Sequence, residues 1–143
     1  MDKVKLVKKG EVKLQDLVEA VKSSEGFSEC GAIVAFNGVV RGVGHDGSKV
    51  LKLCYEAYEE AALQSLKAIR QKILTGNPEV KELVIYHVID ELESGEDTVF
   101  IVAAGMHRKE TFKAVLEALE MVKTEAAIWK KEVTVKGEAW ITS

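Results

Sequence analysis

The chain has 143 residues, of which 47% are hydrophobic and 30% are charged, the composition of a soluble globular protein and not of a disordered one. Its 20 Lys and Arg residues against 23 Asp and Glu give a formal net charge of -3, which excludes a nonspecific nucleic-acid binder. No apolar run approaches the roughly 20 residues that span a bilayer, and the N-terminus is too charged for a signal peptide. We therefore expect one domain over residues 1–143, located in the cytoplasm, without nucleic-acid or membrane partners.

The N-terminal part of the chain predicts a strand, a helix and a second strand. Val4 and Leu6 alternate with lysines, as in a short strand, and residues 14–24 place leucines and valines on one helical face. After a break in the pattern, residues 31–41 (GAIVAFNGVVR) are rich in β-branched and other apolar side chains. This run predicts a central strand.

A loop with three glycines, GVGHDGSK at residues 42–49, follows that strand. It superficially resembles a phosphate-binding loop, but it lacks the spacing of that motif and does not lead directly into a helix. The strand pattern resumes at residues 50–58, so we expect the two strands to form an antiparallel pair. Residues 59–74 then predict a second helix that ends at TGNP.

The C-terminal half predicts two strands, a helix and a hairpin. The strands cover residues 80–90 and 98–106, with an acidic turn between them, and the hairpin turns near Lys136 and Gly137. The predicted order is β-α-β-β-α-β-β-α-β-β. Because several adjacent strands are joined without helices, we expect an α+β fold with a mixed, largely antiparallel sheet and about three helices.

The third helix joins two cationic segments. Its apolar residues recur at three- and four-residue steps and predict one core-facing side: Phe112, Val115, Leu116, Leu119 and Val122. His107 and Arg108 stand at its start, where a helix N-terminus favours anions, although local hydrogen bonds to carbonyl groups are an alternative role. Lys123, Lys130 and Lys131 lie toward its other end. If the chain turns back after the helix, these lysines and Arg108 surround a single pocket.

Lys123 and Lys130 are the sharpest candidates for chemistry. The pKa of a lysine falls when its ammonium group is partly buried or crowded by cations, and such a lysine can act as acid, base or nucleophile. From Arg108 to Lys136 there are seven Lys or Arg residues and five Glu, so composition alone favours an ordinary charged helix face. Arg41 is a further candidate, because arginine can grip an anion with two parallel hydrogen bonds.

Neither the histidines nor the cysteines have the spacing of a metal site. His45, in the glycine-rich loop, is interpreted as solvated, and His87 as a sheet histidine with its hydrogen bonds satisfied. Cys30 and Cys54 lie far apart in the sequence, each in or beside an apolar run, and are predicted to be buried free thiols. No metal site is expected.

Several segments of the chain match a known family when they are taken together and in order. They are GAIVAFNGVVR, YEAY, VIYHVIDELESGEDTVFIVAAGMHR, VKTEAAIWKKE and GEAWI, which span most of the chain from Gly31 to Ile141. The paired HR and K…WKKE blocks are the most specific. The chain resembles the large, catalytic subunits of molybdopterin synthase, the MoaE family.

The resemblance implies an enzyme of molybdenum-cofactor biosynthesis with an α/β hammerhead fold. Such an enzyme converts cyclic pyranopterin monophosphate (precursor Z) into molybdopterin, which carries a dithiolene. The sulfur comes from the C-terminal Gly-Gly thiocarboxylate of a small ubiquitin-like partner, whose tail enters a pocket of the large subunit. Two large subunits form the central homodimer of a heterotetramer, and the chemistry needs no metal or organic cofactor.

The resemblance also assigns roles by motif. Lys123 and Lys130 match the catalytic lysines of the family, and Lys131 is implied to be a supporting charge in substrate binding. The remaining substrate-binding residues, implied to hold the substrate phosphate, are Arg41, His107 and Arg108.

The chain departs from the usual family sequence at two positions. Val88 stands where an arginine is common, and Ala127 stands where a proline is common. These departures keep open the alternative of a non-catalytic binding module for a ubiquitin-like tail or a phosphorylated pterin. A generic phosphate- or nucleotide-binding domain is a third alternative, supported only by the cationic residues.

Overall fold

The computed structural model describes residues 1–141, and over this range it contains three α-helices, a short 3-10 helix and eight β-strands. The helices are α1 (Leu14–Lys22), α2 (Glu59–Gly76) and α3 (Arg108–Glu125). The strands are β1 (Val4–Val7), β2 (Ala32–Val39), β3 (Val50–Ala57), β4 (Val80–Val88), β5 (Glu91–Leu92), β6 (Asp97–Gly105), β7 (Ile128–Thr134) and β8 (Gly137–Ile141). The predicted order is confirmed, and β5 is an addition inside the acidic connection.

The strands form two four-stranded sheets. Sheet 1 has the order β1-β4-β6-β2, and sheet 2 has the order β5-β3-β7-β8. All strand pairs are antiparallel except β1 with β4, which is parallel. The α+β class with mixed, largely antiparallel sheets and three helices is therefore confirmed.

Strand β2 differs from the prediction in two ways. It is an edge strand of sheet 1 and not a central strand, and it pairs with β6 instead of with β3. Its sequence resembles that of a central strand because its side chains pack against the core on both faces, although none is fully buried: Ile33 packs on the α1 side, and Val34 and Phe36 pack on the α3 side. The connection to β3 leaves sheet 1 altogether and enters sheet 2.

The core lies on both faces of sheet 1. On one face, α2 and α3 cover the sheet with side chains that include Leu66, Ile69 and Val115. On the other face, α1 and sheet 2 pack through residues such as Leu17 and Val50. This layered arrangement brings the C-terminal part of α3 and the inner face of sheet 2 to the same end of sheet 1, where they form a pocket.

The buried face of helix α3 agrees only in part with the predicted one: Val115 and Val122 are buried and Leu119 packs against the core, as expected. Phe112 and Leu116, which were expected in the core, are 62% and 59% exposed. Ala114 and Ala118 are fully buried instead, and their small side chains let the helix lie close to sheet 1. Phe112 and Leu116 stand one turn apart on the outside, where they form a small exposed apolar surface.

A buried carboxylate joins three elements of the fold. Glu82 of β4 accepts hydrogen bonds from Lys3 Nζ (2.7 Å) and from Arg70 of α2 (2.6 Å). These bonds hold the pKa of Glu82 below its ordinary value, although burial acts in the opposite direction and is the largest single influence. No helix within residues 1–141 is long and apolar enough to cross a membrane.

Candidate functional site

A pocket of about 510 Å³ lies where α3 ends, between the inner face of sheet 2 and one end of sheet 1. This volume falls within the range of small-molecule sites. Polar and apolar surface contribute about equally to its walls, and its polar lining groups are Tyr55, His87, Thr98, Lys123, Thr124 and Lys130. No carboxylate lines it among these residues, so the charge inside the pocket is positive.

The two lysines enter the pocket from consecutive elements. Lys123 lies in the last turn of α3, and after Ala126 the chain reverses into β7, which carries Lys130. The N–H of Ala127 donates to the hydroxyl of Ser65 on α2 (3.3 Å), which ties this reversal to the neighbouring helix. The chain thus turns back after the helix, which the sequence permitted but did not establish, and the turn brings Lys123 and Lys130 to one pocket.

The surroundings of Lys130 lower the pKa of its ammonium group. Burial lowers the pKa of its ammonium, and the positive charges of Lys123 and Arg41 lower the pKa further. Glu132, on the same face of β7, acts in the opposite direction. Neither Lys123 nor Lys130 has an ion-pair partner within 4.0 Å among residues 1–141. A lysine in this state releases and takes up a proton closer to neutral pH than an exposed one.

The loop that begins after Arg41 is fastened to β7. The backbone N–H of His45 donates to Oε1 of Glu132 (3.1 Å), and His45 Nδ1 lies 3.2 Å from Oε2. A Cβ atom on Gly44 would lie 2.6 Å from Oε1 of Glu132, so a side chain at residue 44 would displace this carboxylate. His45 is half-exposed, as expected of a loop residue, but it also holds a carboxylate near Lys130.

His107 and Arg108 lie at the opposite end of α3. His107 is the N-cap residue, and its Nδ1 lies 3.7 Å from the carboxylate of Glu79. Arg108 and Lys123 are fifteen residues apart on one helix, which places their backbones about 22 Å apart at a rise of roughly 1.5 Å per residue. The single pocket expected around these cations is therefore not formed within one chain.

Lys131 also lies outside the pocket. Side chains alternate along a strand, so Lys131 projects from the opposite face of β7 to Lys130. There it lies 5.6 Å from the centre of the Trp140 ring and 3.7 Å from the carboxylate of Glu138. Its predicted role in substrate binding has no support from this placement, because its outer position is already stabilised by these two contacts.

Tyr55 and His87 belong to the pocket but were not among the predicted site residues. Tyr55 is the direct neighbour of Lys130 across the β3–β7 pair, and its ring meets the His87 ring edge to face at 4.8 Å. Burial raises the pKa of the Tyr55 hydroxyl and lowers the pKa of His87 to about 4. The sequence signal was a histidine inside an apolar strand, which predicts burial but does not reveal what the ring faces.

One group of side chains in residues 1–141 has the composition of a metal site. Glu79, His107 and Glu110 have ligand atoms within 4.8 Å of one another, at the start of α3. The adjacent Arg108 and Lys109 and the positive end of the helix disfavour a cation there. The group is separate from the lysine pocket.

A comparison with protein families shows the family to which this chain belongs. The family model described as MoaE protein matches residues 7–125. The chain belongs to the MoaE family. A molybdopterin synthase catalytic subunit from Pyrococcus abyssi is 43% identical to this MoaE protein over 140 residues, which cover 97% of the chain and 90% of the relative.

Solved structures agree with this assignment. The crystal structure of molybdopterin synthase from Staphylococcus aureus superposes on the MoaE protein with a TM-score of 0.87 at 29% identity, covering 100% of this chain and 99% of that one. A complex of subunits 1 and 2 of molybdopterin-converting factor from Helicobacter pylori superposes with a TM-score of 0.75 at 20% identity, covering 99% and 92%. The second likeness is one of fold alone.

Proposed function

We propose that this MoaE protein is the catalytic subunit of a molybdopterin synthase. It transfers sulfur from the C-terminal thiocarboxylate of a small ubiquitin-like protein to cyclic pyranopterin monophosphate, and so forms the dithiolene of molybdopterin. The observation that carries the proposal is that Lys123 and Lys130, the two lysines assigned by motif, line one pocket. The Pyrococcus abyssi relative, named as a molybdopterin synthase catalytic subunit, supports the same activity.

The pocket suits a reaction in which negative charge develops on an acyl group. The thiocarboxylate sulfur bonds to a substrate carbon and displaces the oxygen substituent of that carbon. Water then attacks the carbonyl carbon of the resulting thioester, the acyl C–S bond breaks, the sulfur stays on the substrate as a thiol, and the partner leaves as a carboxylate. The carbonyl oxygen becomes negative during that attack, and the Lys123 and Lys130 ammonium groups are positioned to stabilise this charge. Because burial lowers the pKa of Lys130, this residue is also suited to exchange a proton during the reaction.

Phosphate binding is assigned to Arg41 and to the His107–Arg108 pair. Arg41 is close enough to influence the pKa of Lys130, whereas the pair lies at the far end of α3 in the same chain. We propose that His107 and Arg108 reach the pocket of a second copy of the chain, as in the homodimer that the resemblance implies. The exposed Phe112 and Leu116, which follow this pair on α3, supply apolar surface for such a contact.

The two departures from the family sequence do not lie at the lysines. Val88 is buried in the core and projects from the face of β4 opposite to His87, which lines the pocket. Ala127 lies in the reversal between α3 and β7 and is held there by Ser65. The proposal of a catalytic enzyme is therefore preferred to that of a non-catalytic binding module.

Reconstitution from purified components tests the proposal. The chain, its thiocarboxylated partner and the cyclic precursor are mixed, and the dithiolene product is measured. Lys123→Ala and Lys130→Ala should each lower the rate by at least about 100-fold, since each removes a donor to the developing charge. Lys113→Ala is the matched control, because Lys113 is an exposed α3 lysine paired with Glu117. Full activity of Lys123→Ala contradicts the mechanism, and tail binding without product favours the binding module.

A mixing experiment tests whether Arg108 of one chain completes the pocket of a second copy. Lys123→Ala and Arg108→Ala chains should each be inactive alone, but a mixed dimer keeps one complete site if Arg108 acts on the pocket of its partner. With free exchange of subunits, about a quarter of wild-type activity should return, since half of the dimers are mixed and each has one of two sites. No recovery would place Arg108 outside the site. Arg108→Ala alone should weaken binding of the precursor more than docking of the protein partner.

A further inference from the structure

His87 is a buried polar group to which the proposed reaction gives no role. It is 5% exposed and lines the lysine pocket. Its Nδ1 lies 2.9 Å from the carbonyl oxygen of Val88. A carbonyl oxygen can only accept, so Nδ1 carries the hydrogen, and Nε2 of the neutral ring is an acceptor. Nε2 makes no hydrogen bond within residues 1–141 and is not fully enclosed, so it faces the open space of the pocket.

The surroundings of the ring keep it uncharged. Lys123 of α3 and Lys130 of β7 face the same pocket, and Tyr55 of β3 packs its ring against His87 at 4.8 Å. Burial, assisted by the charge of Lys130, lowers the pKa of His87 to about 4, although the bond to Val88 acts in the opposite direction. The Nε2 lone pair is therefore available at neutral pH.

An acceptor in this position calls for a donor from a ligand. Water reaches this acceptor in the free protein, but a ligand that displaces the water without supplying a donor loses on the order of 1–3 kcal/mol. The phosphate group of the cyclic precursor offers only acceptors and does not fit Nε2. The pterin of the precursor carries N–H donors, so binding of the precursor to His87→Met is measured beside binding of the tail. A tail that ends in Gly-Gly has no side chains, so a protein can recognise those residues only through their backbone N–H and C=O groups.

We propose that His87 Nε2 accepts a hydrogen bond from a backbone N–H of the Gly-Gly tail of the sulfur carrier, which makes His87 a tail-binding residue. The inference rests on the proposed function and adds the atom that sets the register of the tail. In an extended chain, a slip of one residue moves the terminal carbon by about 3.3 Å. A fixed acceptor in the wall of the pocket prevents that slip and keeps the thiocarboxylate beside Lys123 and Lys130.

The test uses synthetic peptides that end in Gly-Gly, with each of the two glycine nitrogens methylated in turn. Binding to the wild-type chain and to His87→Met, His87→Gln and Val88→Ala is measured by calorimetry. In the wild type, one of the two methylations should weaken binding about 5-fold, the effect of one net hydrogen bond. His87→Met should bind the unmodified peptide about 5-fold more weakly and be insensitive to that methylation.

Two variants serve as controls for the combination of peptide methylation with His87→Met. His87→Gln can present a carbonyl acceptor in place of Nε2, so it should recover most of the affinity and of the sensitivity to methylation. Val88→Ala changes the neighbouring core residue on the other face of β4 and should bind like the wild type. Thermal unfolding of each variant establishes that it is folded under the conditions of the titration.

The outcomes separate this inference from the proposed function. If neither methylation weakens wild-type binding, or if methylation and His87→Met act additively, His87 does not contact the tail. Loss of affinity for the cyclic precursor but not for the peptide overturns the inference as well. If the peptides show the expected methylation effects but no sulfur is transferred, the role of His87 stands and the proposed enzyme activity is contradicted. Sulfur transfer without any effect of methylation does the reverse.

Discussion

Replacing His87 should remove a large part of the sensitivity of this protein to acid. In the unfolded chain the ring binds a proton near its ordinary pKa of 6.5, but in the folded chain its pKa is about 4. Between these values the unfolded state binds more protons, so the free energy of unfolding falls as the pH is lowered. Between the two pKa values the free energy of unfolding falls by about 1.36 kcal/mol per pH unit, which gives a total loss of about 3 kcal/mol.

Urea denaturation of the wild type, His87→Met and Val88→Ala from about pH 7.5 to about pH 4 measures this effect. At the higher pH the wild type should be the most stable, because both variants disturb buried positions. The gap between the wild type and His87→Met should shrink by about 3 kcal/mol as the pH falls, whereas the gap to Val88→Ala should stay constant. A constant gap for His87→Met would refute the reasoning.

Three further predictions follow from other contacts. Lys123→Met should raise the pKa of Lys130, because a neighbouring positive charge is removed, and ¹⁵N NMR titration of the lysine side chains measures the change; an unchanged pKa would mean that the two ammonium groups are not coupled. Glu82→Gln should lower the free energy of unfolding at neutral pH by about 2 kcal/mol, since Arg70 loses its buried partner. That loss should disappear in acid as the pH falls below the depressed pKa of Glu82, and a pH-independent loss in denaturant titrations would contradict it. Phe112→Glu should weaken self-association in sedimentation experiments while leaving the monomer folded, and a dimer of unchanged strength would exclude this surface from the interface.

Most of the secondary structure was predictable from local patterns in the sequence. The three helices and the seven predicted strands depend on spacings of two, three or four residues, and these spacings can be counted along the chain. The short strand β5 was missed, because a two-residue strand has no such period. The sequence left open whether the chain turns back after α3, so the approach of Lys130 to Lys123 was decided by the tertiary structure.

Pairing between distant segments was not predictable in the same way. Strand β2 has the composition of a central strand because its side chains pack against the core on both faces, although it lies at an edge. Phe112 and Leu116 fit a core-facing stripe, but the sheet selects the side of α3 where Ala114 and Ala118 allow close approach. Burial depends on the opposing surface as well as on the period of the helix.

The sequence alone predicted the α+β class, most of the helices and strands, and the two lysines that resemble a family's catalytic pair. Only the tertiary structure decided what those lysines face. It placed Arg108 at the far end of α3, because a helix separates residues in proportion to its length, and it placed Lys131 on the outer side of β7. It also brought His87 of sheet 1 into the pocket of Lys130, a contact between two sheets that no local pattern specifies.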